Sequence, residues 1–412
     1  MKNIFRFSAL LLAIVFMCLN KSYAQSGWFP QTSGTTNVLY GVSFTDANTG
    51  TAVGDLGTIL RTTNGGALWT SQTSGTTNFL YGVSFTDANT GTAVGNLGTI
   101  LRTTNGGALW TSQTSGTTNI LRGVSFTDAN TGTAVAEGGP ILRTTNGGAL
   151  WTSQSSGTSY LYGVSFADAN TGTAVGQVGT ILRTTNGGAI WTSQTSGISN
   201  LLWAVSFIDA NTGTAVGTFG TILRTTNGGA LWTSQTSGTT DILRGVSFTD
   251  ANTGTVVGGV GGTILRTTNG GALWTSQSSG TTNFFRGVSF TDANTGTAVG
   301  EAGTILRTTT GGVTWVEEDR QAEMPQHFSL SQNFPNPFNP ATSVNFQIPS
   351  TNHVTLKVYA VLGQEVATLV NEELRPGSYK VTWDASGFPS AVYFYRLQAG
   401  SFTETKKSLL LR

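Results

Sequence analysis

Carboxylates, arginines and aromatic side chains are the groups available for chemistry between Trp28 and Trp315 of this 412-residue chain. No histidine, cysteine or lysine occurs in that stretch. This composition excludes Ser-His-Asp catalysis, Schiff-base lysines and most transition-metal sites there. Any chemistry in the region must therefore come from acids, arginines and aromatic rings, and most of these recur at a fixed spacing.

A repeated Asp and a repeated Arg account for most of the charge in this stretch. Each Asp opens an Asp-Ala-Asn-Thr-Gly turn and each Arg precedes a later turn on the same face of the fold, so we expect structural Asp–Arg contacts within or between repeats. The expected pairs are Asp46–Arg61, Asp87–Arg102, Asp128–Arg143, Asp168–Arg183, Asp209–Arg224, Asp250–Arg266 and Asp292–Arg307. The Asp-x-Asn-x-Gly pattern could alternatively form a calcium loop, but it lacks the later bidentate glutamate, so we expect no metal.

The other charges share the opposite face, together with a ring position that is aromatic or arginine in every repeat. These charges are Asp55, Glu137, Asp241, Glu301, Arg122, Arg244 and Arg286. The ring position, directly before the glycine (alanine in the fifth repeat) of the first strand, is occupied by Tyr40, Tyr81, Arg122, Tyr162, Trp203, Arg244 and Arg286. Flat apolar area with bidentate donors suits a binding surface for sugars or an extended peptide. The alternative is a ring that only packs around a central opening.

A sialidase-type glycoside hydrolase is the enzymatic alternative for this face. That chemistry needs an arginine cluster, a tyrosine nucleophile with a carboxylate partner, and an acid. Tyr40, Tyr81, Arg122 and Glu137 have suitable side chains, but near-identical repeats leave little room for an asymmetric pocket. We therefore expect no enzymatic activity, no catalytic residues and no cofactor.

A unit of about 41 residues, repeated seven times, must position these groups. Its closing tryptophans are Trp28, Trp69, Trp110, Trp151, Trp191, Trp232, Trp274 and Trp315. In the first copy we predict strands at 41–45, 51–53, 58–62 and 68–72, separated by glycine-containing turns. Four short antiparallel strands per unit are typical of propeller blades, so we predict an all-β fold with a seven-bladed β-propeller over residues 25–316. A β-helix or linear solenoid is the rival fold, but it would usually have distinct capping repeats.

The turn after the third strand carries a family resemblance. Thr62-x-Asn64-x-Gly66-x-x-Trp69 resembles the Asp-box of sialidase-type propellers, with Asn or Thr in place of the box Asp. The whole unit resembles the seven-bladed propellers of the photosystem II stability/assembly factor family, which implies the fold and not an activity. An extra fourth-strand segment at 28–33 predicts ring closure by terminal strands, with Trp28 and Trp315 competing for one outer position.

The first 24 residues have the pattern of a secretory signal peptide. Lys2 and Arg6 precede an apolar core at 8–19, and Ser22-Tyr23-Ala24 forms a small-residue cleavage pattern. Cleavage would remove Cys18 and leave a mature chain without disulfide or thiol chemistry. No later stretch is apolar enough for a membrane-spanning helix, and a net charge of +1 gives no electrostatic footprint for nucleic acid.

A second domain at 329–412 follows a charged linker at 317–328. Strands predicted at 343–348, 354–359, 365–369, 377–384, 392–398 and 402–410 indicate a small Ig-like β-sandwich. Its segment Asn333-Phe334-Pro335-Asn336-Pro337-Phe338-Asn339-Pro340, with Lys406-Lys407 near the end, resembles the type A sorting domain of the type IX secretion system. The resemblance implies Bacteroidota-type bacteria, handling by the type IX machinery, and removal of the domain with attachment to the cell surface. An ordinary Ig-like binding module is the alternative.

Together these patterns predict a secreted, surface-displayed monomer that passes through the periplasm to the outer-membrane surface. Its partner would be a glycan or a protein bound at the ring position.

Overall fold

The computed structural model describes residues 27–158, 160–312, 317–318, 325–385 and 388–411. The predicted signal peptide and Trp315 lie outside these residues, and so does part of the predicted linker.

Seven four-stranded antiparallel sheets, the blades, fill residues 29–308 of the described chain. Blades 1 to 6 each have an inner, a second, a third and an outer strand in chain order, and blade 7 takes its outer strand, β1, from the start of the described chain. The strands are β1 (Phe29–Gln31); for blade 1, β2 (Leu39–Phe44), β3 (Gly50–Gly54), β4 (Ile59–Thr62) and β5 (Thr70–Gln72); for blade 2, β6 (Leu80–Phe85), β7 (Gly91–Gly95), β8 (Ile100–Thr103) and β9 (Thr111–Gln113); for blade 3, β10 (Leu121–Phe126), β11 (Gly132–Ala136), β12 (Ile141–Thr144) and β13 (Thr152–Gln154); for blade 4, β14 (Leu161–Phe166), β15 (Gly172–Gly176), β16 (Ile181–Thr184) and β17 (Thr192–Gln194); for blade 5, β18 (Leu202–Phe207), β19 (Gly213–Gly217), β20 (Ile222–Thr225) and β21 (Thr233–Gln235); for blade 6, β22 (Leu243–Phe248), β23 (Gly254–Gly258), β24 (Thr263–Thr267) and β25 (Thr275–Gln277); and for blade 7, β26 (Phe285–Phe290), β27 (Gly296–Gly300) and β28 (Ile305–Thr308). Short 3-10 turns follow the second strand at Asp55–Gly57, Asn96–Gly98, Gln177–Gly179 and Glu301–Gly303.

The blades pack face to face, as expected for a propeller. The second strand β3 is buried along its whole length. Val53 and Ile59 of blade 1 pack with Leu80, Leu101 and Trp110 of blade 2, and burial of each such side chain contributes ~1.5–3 kcal/mol. One blade alone leaves these faces exposed, so neighbouring repeats stabilise one another.

The N-terminal strand closes the ring. β1 pairs antiparallel with β28, with Phe29 opposite Arg307 and Gln31 opposite Ile305, and the inner strand β26 contacts the inner strand β2. The predicted closure by a terminal strand is confirmed, and Trp28 belongs to the segment that supplies the outer strand of blade 7. That tryptophan is 3 % exposed and its Nε1–H donates to Gln277 Oε1 at 2.9 Å.

The repeated Asp and Arg do not form ion pairs with each other, so this expectation is wrong. Asp46 Oδ1 accepts the backbone N–H groups of Asn48 and Thr49 in its own turn, at 2.7 and 2.9 Å. Arg61 donates to Thr51 Oγ1 of its own blade and to the carbonyl oxygen of Ala88 in the corresponding turn of the next blade. No ion pair joins the two sets within the described residues.

Both patterns recur in every blade. The Asp carboxylate already accepts two backbone N–H groups, so the Arg guanidinium donates instead to a backbone carbonyl of the next blade. The acids concerned are Asp46, Asp87, Asp128, Asp168, Asp209, Asp250 and Asp292. The arginines concerned are Arg61, Arg102, Arg143, Arg183, Arg224, Arg266 and Arg307. The Asp and Arg residues therefore have a structural role, as predicted. The Asp shapes a turn, and the Arg of the preceding blade donates a hydrogen bond to a carbonyl in that turn. This side of the propeller is called the constant face below.

The C-terminal region forms a two-sheet β-sandwich, as predicted. Its strands are β29 (Glu317–Glu318), β30 (Ser329–Leu330), β31 (Ala341–Ile348), β32 (Asn352–Ala360), β33 (Glu365–Leu374), β34 (Gly377–Asp384), β35 (Ala391–Ala399) and β36 (Phe402–Leu410). One sheet has the order β29-β34-β31-β30 and the other β33-β32-β35-β36. The start of the predicted linker thus joins the first sheet through β29.

The Asn-Pro segment predicted as a sorting motif is anchored by Asn333. This side chain is 2 % exposed, and its Nδ2 donates to Thr342 Oγ1 and to Ser408 Oγ, each at 2.9 Å. Phe338 is buried against Trp383, with ring centroids 5.3 Å apart, whereas Phe334 is 81 % exposed. The segment therefore has one buried side that holds it to the sandwich and one side that faces solvent.

Candidate functional site

A β-bulge presents the ring position in every blade. In blade 1, Leu39 lies opposite Gly54 and Gly41 lies opposite Val53, so Tyr40 between them has no partner on the neighbouring strand. Bulges redirect one side chain while the flanking pairs continue. The same register shift occurs at all seven ring residues, Tyr40, Tyr81, Arg122, Tyr162, Trp203, Arg244 and Arg286.

The ring residues contact one another from blade to blade. The rings of Tyr40 and Tyr81 have centroids 4.9 Å apart, and the Arg122 guanidinium lies 4.1 Å from the centroid of Tyr81. On the other side, Tyr162 and Trp203 are 4.6 Å apart, and the Arg244 guanidinium lies 3.5 Å from the Trp203 ring. The structure therefore brings these predicted residues together, with much of their aromatic surface already covered.

Two of the ring arginines are paired with glutamates of the turn between second and third strands. Arg122 Nη2 lies 2.9 Å from Glu137 Oε1, and Arg286 Nη2 lies 2.6 Å from Glu301 Oε1. Residue types alone do not predict these ion pairs, because they depend on the bulge that points each arginine toward the adjacent turn of its own blade. Asp241 is also partnered, since it accepts the hydroxyl of Thr263.

Arg244 differs from the other two ring arginines. The turn of blade 6 carries one extra residue, and Gly259 stands where blades 3 and 7 have glutamate. Arg244 makes no ion pair within the described residues. Burial and then the cations of Arg286 and Arg122 lower its pKa to about 10, against a weaker opposing effect of Glu301, so it remains a cation at neutral pH.

Polar atoms without a partner are concentrated at this face. Seven buried side-chain N or O atoms of the described residues have no hydrogen-bond partner, and all but Trp383 Nε1 belong to ring residues or to the turns beside them. The six are Asp55 Oδ1, Asn96 Oδ1, Arg122 Nε, Trp203 Nε1, Arg244 Nε and Arg286 Nε. Folded proteins pair nearly all buried polar groups, so this clustering marks the ring as the candidate site.

An apolar crown surrounds the ring and escaped the sequence analysis. The turns between second and third strands present Leu56, Leu97, Val178, Phe219 and Val260, which are 60, 66, 65, 72 and 86 % exposed. Each turn is hydrogen-bonded to the residue two positions before the ring residue, as in Asp55 N–H to the Val38 carbonyl at 2.9 Å. The sequence does contain a sign of this crown. An apolar residue stands next to a glycine in each of these turns, at a position where turns usually have a small or polar residue.

Tyr40 has a carboxylate beside it but no lowered pKa. Burial, followed by a hydrogen bond and charge from Asp55, raises the pKa of Tyr40 to about 12, so Asp55 stands beside this tyrosine as a carboxylate partner would but does not lower its pKa. Arg122 is committed to Glu137 and lies over Tyr81. No group of three or more His, Cys, Asp or Glu residues in the described chain could hold a metal ion.

The raised pKa of Tyr40 predicts a pH dependence of stability. Because its folded value lies above the ordinary ~10 of an unfolded tyrosine, the neutral phenol contributes stability that is present below about pH 10 and lost as the pH rises through about 12. Between about pH 10 and pH 12 we expect the free energy of unfolding, measured with denaturant, to fall less in Tyr40→Phe than in wild type. Unfolding at neutral pH supplies the baseline for each protein, and identical pH profiles would contradict the assignment.

Comparison with known proteins places the C-terminal region. Residues 332–410 match the family model of the secretion system C-terminal sorting domain. This match implies handling by the type IX secretion machinery, export, and association with the cell surface or outer membrane. In the part of the chain that the structure describes, no helix is long and apolar enough to cross a membrane. No curated protein matches the sequence.

Solved structures resemble the propeller. YCF48 bound to D1 peptide has a TM-score of 0.59 at 21 % identity, covering 69 % of this chain and 98 % of that chain. YCF48 from Cyanidioschyzon merolae has a TM-score of 0.58 at 21 % identity, covering 68 % and 98 %. The GH74 enzyme of Niastella koreensis has a TM-score of 0.56 at 14 % identity, covering 92 % and 74 %. At these identities the likeness confirms the predicted propeller fold alone.

Proposed function

We propose that the propeller is a cell-surface binding module that takes its partner at the ring, and that the C-terminal domain delivers it there by the type IX route. The observation that carries the proposal is the clustering of buried, unpartnered polar atoms at one face. An unpaired buried group costs about 1–3 kcal/mol. These atoms are covered in the structure, so a partner would reach them through a shift of the ring side chains and would then recover part of that cost on binding.

The contacts within the ring favour hydrogen bonding over stacking as the means of recognition. Arg122 covers Tyr81 and Arg244 covers Trp203, so these aromatic faces are less available for a sugar ring than the residue types suggested. The unpartnered Nε1–H of Trp203 and Nε–H of Arg244 suit acceptor oxygens of a glycan or a protein. YCF48, a protein of similar fold, has been solved with a bound peptide, which supports a protein partner by analogy.

A carbohydrate-active enzyme is the second candidate, and the ring geometry gives it less support. A GH74 enzyme shares the fold at 14 % identity. Asp55 beside Tyr40 resembles the tyrosine–carboxylate pair of that chemistry, but the ion pair of Arg122 with Glu137 leaves that arginine unavailable to a substrate carboxylate. We therefore propose binding without turnover.

Replacing two ring aromatics should remove binding. We expect the Tyr81→Ala/Trp203→Ala variant of the mature full chain to lose at least about tenfold in affinity, because these rings position Arg122 and Arg244 and tenfold corresponds to ~1.4 kcal/mol. Binding is measured on glycan and peptide arrays and then by calorimetry with the strongest hit.

The matched control changes exposed side chains on the constant face, Leu68→Ala/Leu109→Ala, and should bind as wild type does. Unchanged binding in the ring variant would refute the ring as the site and favour a ring that only packs. Turnover of any glycan by the wild type would establish the enzymatic candidate instead.

A further inference from the structure

We propose that the partner is a polypeptide segment with an acidic side chain or terminus flanked by apolar side chains. It would lie against the apolar crown and place its carboxylate at Arg244. This inference rests on the proposed function, because it names the class of partner for the same face.

The crown residues occupy a backbone conformation that their side chains disfavour. Leu56, Leu97, Val178 and Phe219 have φ values of 52°, 54°, 54° and 55°, in the left-handed region that glycine adopts most readily. A branched residue such as Val178 is especially costly there. Blade 3 provides the comparison within the same chain, since Gly138 follows Glu137 at the equivalent position with φ of 70°.

Burial of these side chains does not offset that cost. The four strained crown side chains are 60 to 72 % exposed, and Val260 on the extended turn of blade 6 is 86 % exposed. A turn that served folding alone would do better with glycine, as in blade 3. Strained backbone and exposed apolar groups are both features of interaction sites, and here they coincide on the face that holds the unpartnered polar atoms.

The chemistry of the face fits a polypeptide better than a glycan. The crown consists of aliphatic side chains and one phenylalanine, which match apolar side chains of a protein, while the ring aromatics already pack against one another or against arginine. The unpartnered atoms include acceptors, Asp55 Oδ1 and Asn96 Oδ1, and donors such as Trp203 Nε1. A peptide backbone offers both N–H and C=O groups to such a set.

The unpaired positive charge of Arg244 is the reason to expect an acidic group in the partner. Arg122 and Arg286 have their own glutamates, but Arg244 has no ion-pair partner within the described residues. It lies over Trp203 with its Nε buried and unpartnered. A carboxylate placed there would pair a partly desolvated cation, which is the arrangement that gives charged contacts their specificity at interfaces.

The test uses the mature full chain and two labelled pools of short peptides with alternating apolar and acidic positions. The second pool has amides in place of the acids, and a set of neutral and acidic oligosaccharides is assayed in parallel. The crown variant carries Leu56→Gly, Leu97→Gly, Val178→Gly and Phe219→Gly. We expect it to bind the acidic peptide pool at least about tenfold more weakly than wild type, with a melting temperature equal or higher because left-handed strain is relieved.

The Arg244→Gln variant should keep its melting temperature and lose the preference for the acidic pool over the amide pool. The matched control for lost apolar surface carries Leu68→Ser, Leu109→Ser, Leu150→Ser and Leu231→Ser, which are also about 60 % exposed but lie on the constant face. It should bind like wild type.

The two levels of the proposal fail in different ways. If the ring variant Tyr81→Ala/Trp203→Ala loses binding but the crown variant does not, or if wild type binds oligosaccharides and neither peptide pool, the polypeptide inference is overturned and the ring site stands. If the ring variant binds every probe as wild type does, the ring site itself is overturned.

Discussion

Deleting residues 329–412 should abolish surface display and leave the propeller inside the outer membrane. The expected loss is nearly complete, because residues 332–410 match the sorting domain family and the seven blades offer a closed set of sheets with no second such domain among the described residues. Surface protease accessibility and cell fractionation of the deletion strain measure the outcome. Normal display without the domain would refute the sorting role and favour an ordinary Ig-like module.

Two point variants distinguish the fold of this domain from its recognition. Asn333→Ala removes two buried hydrogen bonds to Thr342 and Ser408, at about 1 kcal/mol each with an added penalty for the groups left unpaired. It should lower both stability and display. Phe334 is 81 % exposed, so Phe334→Ala should leave stability unchanged, and any loss of display in that variant reports on contact with the machinery.

The repeat made the fold predictable because every copy carries the same turn and strand pattern, and comparison of the copies located the variable face. What the comparison could not reveal was local register. The first strand begins at Leu39 and not at Gly41. The bulge at Tyr40 interrupts the alternation of side chains between the two faces of the sheet, but strand pairing continues past it to Leu39. That bulge places Arg122 beside Glu137 of the same blade, a pairing invisible from residue types alone.

The failure of the Asp–Arg prediction has a related physical cause. Opposite charges on neighbouring turns of one face are expected to attract, but backbone N–H groups in the Asp46 turn lie closer to the carboxylate than any arginine does. Those hydrogen bonds keep the pKa of Asp46 below its usual range. The crown was missed for a similar reason, since left-handed backbone at Leu56 is a property of the turn and not of the residue.

Trp28→Ala should destabilise the closed ring by ~3–5 kcal/mol, the usual cost of truncating a buried tryptophan. Trp28 is 3 % exposed, lies edge-on to Phe290 with centroids 5.8 Å apart, and donates to Gln277. Trp110 in blade 2 makes the equivalent contacts to Phe85 and Gln72. Trp110→Ala is therefore a matched control with the same lost contacts inside a continuous blade.

The two variants should differ in where the molecule opens. β1 is held to β28 by hydrogen bonds and packing, with no chain connection between them, so loss of the Trp28 anchor should raise amide exchange in β1 and β28 before the rest of the propeller. Trp110→Ala should lower protection around blades 2 and 3 without that selective release. Separation of β1 from β28 would also separate Arg286 of blade 7 from Tyr40 of blade 1. Binding at the ring should therefore weaken more in Trp28→Ala than in Trp110→Ala. The rival assignment, with Trp315 in the outer position of blade 7, predicts instead a near-neutral Trp28→Ala and a destabilised Trp315→Ala, and unfolding of these three variants side by side decides between them.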